Sequence, residues 1–202
     1  MKKRKYCIAL GFLTAFLLWT VAVKWIDVQA IGPKGSAVGF ATLNGFVHQT
    51  IGVHMELYVL TDWLSVVPLG LAAGFGLQGL VQWMRRKSLR KVDRDLLVLG
   101  GFYAAVMAAF LLFEVVVINY RPVLIEGILE ASYPSSTTML CMCVLPTTAM
   151  RLRSRRWLAG ILMAFTIFMV AARLISGVHW FTDIIGGALL SAGLVMLYDS
   201  LT

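Results

Sequence analysis

Residues 157–198 read WLAGILMAFTIFMVAARLISGVHWFTDIIGGALLSAGLVMLY. Two apolar runs, Trp157–Ser176 and about Trp180–Tyr198, meet at a break on Gly177. Each is close to the ~20 residues that a helix needs to cross a ~30 Å hydrocarbon core. Arg173, His179 and Asp183 cluster around the break. An ionisable group deep in a span costs ~3 kcal/mol or more, so its presence points to function. This stretch therefore sets the fold class as a bundle of membrane helices, and marks one end of that bundle as chemically distinct.

The rest of the chain agrees. Of 202 residues, 59% are hydrophobic and 14% charged, and the mean hydropathy is +0.82. Soluble domains carry about 45–50% apolar and about 25% charged residues, and a chain this small cannot bury so much apolar surface in water. Disorder is excluded by the same numbers. Three Cys, two of them (Cys141 and Cys143) inside an apolar run, exclude a disulfide scaffold.

Further spans are expected at Tyr6–Val23, Leu57–Trp83, Leu96–Ile118 and, shortest, Ser135–Met150. The first reads as a retained anchor, because it exceeds the ~7–15 residues of a signal h-region and ends far from a Val28/Ala30 cleavage site. The fourth reaches only ~24 Å, so Arg151 and Arg153 are expected to snorkel, and Pro146 to kink it. Asp27–His54 and Asn119–Ser136 read as outside segments, the former with a short helix around Gly39–His48. The expectation is an all-α integral membrane bundle of six helices, 1–202 being one membrane-embedded domain.

The net charge of +8 is explained by topology. Fourteen of the 18 Lys and Arg fall in Lys2–Lys5, Arg85–Arg94 and Arg151–Arg156. Six spans put both termini and all three clusters on one side, which the positive-inside rule makes cytoplasmic. Nucleic-acid binding has no basic face or reading helix to rest on. Trp25, Trp63, Trp83, Trp157 and Trp180 fall near the expected interfaces, as belt residues do.

Arg121, Arg173, His179 and Asp183 then gather at the outer end, with Glu114 close by. Neither Arg can be neutralised at ordinary pH. Two fixed cations beside a His and a carboxylate suit an anion such as phosphate, held by paired hydrogen bonds. His179 and Asp183 lie four apart on one helix face, so the Asp is expected to fix the imidazole tautomer. Pro134-Ser135-Ser136-Thr137 opens a helix whose free N–H groups make an anion cradle, with Ser135 able to cap. Glu114 reads as a salt-bridge partner for Arg121 or Arg173. His48 and His54 lack clustered partners for a metal, and Cys141 and Cys143 read as inert core thiols on different faces.

Arg121-Pro122, Pro134-Ser135 and Arg173-(five)-His179-(three)-Asp183 together resemble the type 2 phosphatidic acid phosphatase superfamily. Its signature is Lys-(six)-Arg-Pro, Pro-Ser-Gly-His and Ser-Arg-(five)-His-(three)-Asp. The resemblance runs from Glu114 to Asp183. It implies a lipid phosphatase with His179 as nucleophile, forming a phosphohistidine, and Asp183 orienting it. It implies phosphate binding by Arg121, Arg173, Ser135 and Ser136, and no metal or cofactor. The substrate would be a lipid phosphate or an isoprenoid diphosphate at the outer leaflet of the cell membrane. Beyond membrane lipids the resemblance implies no partner, and self-association is left open.

Three positions depart from the signature. Glu114 replaces the Lys, Ser136-Thr137 the Gly-His, and Ala172 the Ser before the last Arg. The missing His protonates the leaving group in the family, and general acid help is worth ~10²–10⁴-fold. Three readings follow: another donor (Glu126, Glu130 or Tyr133), a leaving group that needs no proton, or a non-catalytic lipid-phosphate binder on the same fold.

Overall fold

The computed structural model of the chain describes residues 2–152 and 154–202. Arg153, expected to snorkel, lies outside the described residues. The helices are α1 (Lys2–Trp25), α2 (Ala41–Ile51), α3 (Met55–Leu64), α4 (Val66–Arg86), α5 (Arg94–Val115), α6 (Ser136–Arg151), α7 (Arg156–Ile175) and α8 (Phe181–Leu201). Five stretches are long and apolar enough to cross a membrane: Lys2–Trp25, Met55–Arg86, Arg94–Val115, Arg156–Ile175 and Phe181–Leu201. The chain is a multi-pass, all-helical membrane protein.

The second expected span is present as one apolar stretch, Met55–Arg86, interrupted only by a local break in the helix at Ser65 between α3 and α4, where the backbone stays right-handed helical. Pro68 explains the break, because its ring crowds the carbonyl four residues back and offers no N–H to it. The fourth is α6, only 16 residues long, and falls short of the five. Its length is not set by lipid, because α4, α7 and α8 pack around it and bury most of it. It nonetheless runs from one end of the bundle to the other. Met150 and Arg151 share a cavity with Lys2, Lys5, Asp95 and Asp199, while Thr137 at its start meets Arg173.

Packing follows from which faces are small. α8 is the central helix, half buried, whereas the windows of the other four spans are 11–22% buried and leave their apolar sides to lipid. α1 lies antiparallel along α8: Lys5 pairs with Asp199 at 2.7 Å, and at the far end the Trp19 indole donates to the Thr182 carbonyl. Phe16, Val23, Tyr133, Met139 and Leu190 form one core; Leu99, Phe102, Cys143, Val195 and Tyr198 another; Cys141, Leu145 and Met169 a third. Cys141 and Cys143 thus face different clusters, both as free thiols. The cluster ends Lys2, Lys5 and Arg151 meet at one end of the bundle.

The Asp27–His54 segment is more than a loop. Asn44 on α2 is buried, donates to the Gly39 carbonyl and the Thr182 hydroxyl, and accepts the Thr182 N–H. α2 is thereby fastened to the start of α8. Trp25, Trp63, Trp83 and Trp157 are exposed, but Trp180 is not a belt residue. It is 3% exposed, its indole donates to the Tyr120 carbonyl at 2.7 Å, and it packs against His48. The turn between α7 and α8 folds it inward.

Gly186 and Gly187 allow the N-terminal half of α8 to close on Tyr133 and α6. A Cβ at Gly186 would sit 2.5 Å from the Tyr133 ring. Gly186→Ala is expected to destabilise the protein by ~1–3 kcal/mol as an overpacking change, read as a lower apparent Tm in detergent. Gly160→Ala, where a Cβ meets nothing within 4 Å, is the matched control.

Candidate functional site

At the end of the bundle away from Lys5 and Asp199, a short ribbon brings two functional groups together. Asn119, Tyr120 and Arg121 run antiparallel to Glu130, Ala131 and Ser132. Arg121 N–H donates to the Glu130 carbonyl and Ser132 N–H to the Asn119 carbonyl, with Ile125 and Ile128 closing the turn. This folding back places Arg121 and Ser132 against the α7–α8 turn. Gly177 makes that turn possible at φ +68; a Cβ there would meet the Gly52 carbonyl oxygen at 2.0 Å.

His179 is 3% exposed. Its Nδ1 lies 2.9 Å from the Ser132 hydroxyl and 3.1 Å from the Ser132 carbonyl. Its Nε2 faces Arg121, whose guanidinium approaches to 3.5 Å. Burial first, then the charges of Arg121 and Arg173, hold the imidazole well below its ordinary 6.5. A neutral ring with Nε2 unprotonated is the form that can attack an electrophile.

Asp183 was expected to orient His179 directly. The structure instead interposes Ser132, whose hydroxyl donates to Asp183 Oδ2 at 2.6 Å. The same oxygen accepts the Trp180 amide N–H and caps α8, while Oδ1 accepts from Asn119 at 3.1 Å. The reason is geometric. His179 precedes the helix, in the turn, so the four-residue spacing does not place the two side chains one above the other.

Arg173 is 2% exposed and held by several partners. It donates to the Thr61 hydroxyl at 2.9 Å, the Tyr58 carbonyl at 3.3 Å and the Thr137 hydroxyl at 2.6 Å, and Asp62 lies 3.6 Å away. The Tyr58 ring carries both guanidiniums, Arg173 at 4.7 Å from its centroid and Arg121 at 5.9 Å. Arg121 also pairs with Glu130 at 3.0 Å. The expected Glu114 ion pair is thus not formed, because Glu130 and Asp62 take the two arginines. Glu114 instead lines a narrow cleft with Ser136 and His179, with space for about one water molecule.

Ser135 caps α6, its oxygen accepting the Thr138 N–H at 3.5 Å and the Thr138 hydroxyl at 3.0 Å, and its own N–H donates to the Asp183 carbonyl. Of the three donors considered for the missing acid, Tyr133 is buried with its hydroxyl against Thr20, and burial raises it above its ordinary range. Glu130 is on Arg121, and Glu126 sits at the exposed ribbon tip.

Ser132, Asn119, Tyr58, Thr61 and Asp62 were not singled out from sequence. Asp62 had a usable signal, a carboxylate inside an apolar stretch. Ser132 and Asn119 had none, because their importance arises from the ribbon that pairs them.

The fold is that of a polytopic bundle of membrane helices. Residues 102–200 match the model of the PAP2 superfamily, so the chain carries a PAP2 superfamily segment and the resemblance read from its motifs stands. Among solved structures, the crystal structure of the first transmembrane PAP2 type phosphatidylglycerolphosphate phosphatase from Bacillus subtilis is similar. It aligns with a TM-score of 0.60 over 96% of this chain and 94% of that one, at 17% identity. No curated protein sequence matches the chain.

Thr137 supplies the oxygen that Arg173 needs in its buried setting. Thr137→Val is expected to cost ~1–3 kcal/mol by leaving a charged donor unpaired, whereas Thr137→Ser stays near wild type. Thermal unfolding in one detergent compares the two.

Proposed function

We propose that this protein is a membrane phosphohydrolase acting on a lipid phosphate, with an isoprenoid-type diphosphate as its best substrate class. The observation that carries the reading is the state of His179: Nδ1 is engaged by Ser132, and Nε2 is left facing the Arg121 guanidinium. Phosphoryl transfer needs mostly positioning and charge neutralisation, and Arg121 and Arg173 offer both. The PAP2 segment and the phosphatase-like fold support the same class. The reading takes 1–202 as one membrane-embedded unit. The gathering of Lys2, Lys5 and Arg151 at one end supports both termini facing the cytoplasm and the site facing the outer leaflet.

The proposed chemistry balances as follows. The Nε2 lone pair attacks the terminal phosphorus, and the bond to the bridging oxygen breaks. Its electron pair leaves on the departing lipid monophosphate. Water then attacks the phosphohistidine, releasing inorganic phosphate and restoring Nε2. Arg121 and Arg173 stabilise the charge on the transferring group. A departing phosphate holds its new charge without a proton, which suits a site where Thr137 stands in the place of the acid. The Bacillus subtilis neighbour is titled for phosphatidylglycerolphosphate, a monoester, so a diphosphate preference would separate the two proteins.

Two experiments test this. Purified protein is expected to release phosphate from an isoprenoid diphosphate at least ~10-fold faster than from phosphatidic acid, the lower bound of general acid help. His179→Ala should abolish both activities and Thr137→His should raise the second. Equal rates on the two wild-type substrates overturn the preference and move attention to Glu114, the carboxyl that shares a cleft with His179. A second reading, lipid-phosphate binding without turnover, is favoured by the Thr137–Arg173 bond; absence of release from every lipid in the panel decides for it.

For pH, the sign follows from the lowered His179. Its neutral form persists as pH falls through 6.5, so the loss of rate from protonating it is expected below 6.5. A pH–rate profile with a His179 limb at or above that value counts against the reading. For orientation, in a Cys7→Ser background, Ser88→Cys should resist a membrane-impermeant maleimide on intact cells and Gln49→Cys should react.

A further inference from the structure

We infer that Ser132 is the positioning residue of the site: its hydroxyl relays the Asp183 carboxylate to His179 and, with its own carbonyl, sets which imidazole nitrogen is free. The inference rests on His179 being the nucleophile.

The direction of each bond can be derived. The Ser132 Oγ–Asp183 Oδ2 distance of 2.6 Å is that of a charge-assisted O–H···O⁻ bond, so the Ser132 proton goes to Asp183. A hydroxyl has one proton. Toward His179, 2.9 Å away, Ser132 Oγ is left only as an acceptor. The Ser132 carbonyl, 3.1 Å from the same Nδ1, is an acceptor by nature. Two acceptors converge on Nδ1, so Nδ1 carries the ring proton. Nε2 then holds the lone pair, and its neighbour, the Arg121 guanidinium at 3.5 Å, is purely a donor.

Asp183 itself is fixed by the Ser132 hydroxyl, the Trp180 amide and the Asn119 side chain. Asn119 is in turn held by the Gly39 N–H. The carboxylate thus polarises the Ser132 hydroxyl from a locked position, and the effect reaches the ring through one oxygen. As Nε2 bonds to phosphorus, positive charge grows on the imidazole. The polarised Ser132 oxygen meets that charge at Nδ1–H.

A double-mutant cycle on kcat tests the relay, using an isoprenoid diphosphate and the full-length protein in one detergent. Partners that orient a metal-bound His are worth about 10–100-fold when removed, and a comparable loss is expected here. Ser132→Ala is expected to lower kcat by that factor with KM within about threefold. Asp183→Asn is expected to lower kcat as well, and the double variant to be little worse than the poorer single, because the two act through one path. Ser132→Cys keeps the carbonyl and a polar side chain, somewhat larger than that of Ser, but offers only a weak donor and acceptor. It is expected to fold, as judged by its melt, and to lose about tenfold in kcat; it serves where Ser132→Ala does not fold.

A Ser132→Ala or Ser132→Cys protein at wild-type kcat overturns the relay. So does a double variant whose two losses multiply. His179→Ala, run alongside, separates the levels. If it keeps turnover, or if the wild type has none, the nucleophile reading itself fails and the relay with it. If it is dead while the Ser132 variants are unaffected, only the relay fails.

Discussion

Two guanidiniums, Arg121 and Arg173, are buried at one end of an apolar bundle, and neither can shed its charge. A buried charge is tolerated only when paired or well hydrogen-bonded. That end of the protein is organised around this constraint. α3 supplies Thr61, Asp62 and a carbonyl to Arg173, the ribbon supplies Glu130 to Arg121, and the Tyr58 ring carries both. The contacts come from α3, the ribbon and, through Thr137, α6, so the cations tie this end of the bundle together.

The same constraint explains what Thr137 does. In the signature it resembles, this position holds the acid; here it holds an oxygen 2.6 Å from Arg173. The position thus carries a hydroxyl in place of an imidazole and gives a buried guanidinium an acceptor. Glu114, where the signature has a cation, changes the adjoining cleft in the opposite sense, bringing a carboxyl to the wall next to His179.

The proposed nucleophile is held by a shell that is mostly remote in sequence. Ser132 comes from the ribbon, Asp183 from α8, and Asn119 links them to Gly39 before α2. α2 is pinned to the start of α8 by Asn44 and Thr182. The segment between the first two spans therefore braces the turn that carries His179. Gly177, with its positive φ against Gly52, is the point where this brace and the turn touch.

By itself the sequence determined the class of the molecule. Apolar length is a local property, so the membrane helices, the break at Gly177 and the crowding of Arg173, His179 and Asp183 around it were all legible. Motif spacing within one segment is local too, which is why the PAP2 resemblance could be read. Tertiary structure decided everything that depends on a long-range partner. It replaced a direct Asp183–His179 contact by a bridge through Ser132, gave Arg121 to Glu130 and Arg173 to Asp62 rather than to Glu114, and turned Trp180 inward. It also buried α6, a helix too short by the lipid criterion, among neighbours that make its length irrelevant. Hydropathy reports what a side chain prefers as solvent; which group it meets is fixed only when the helices pack.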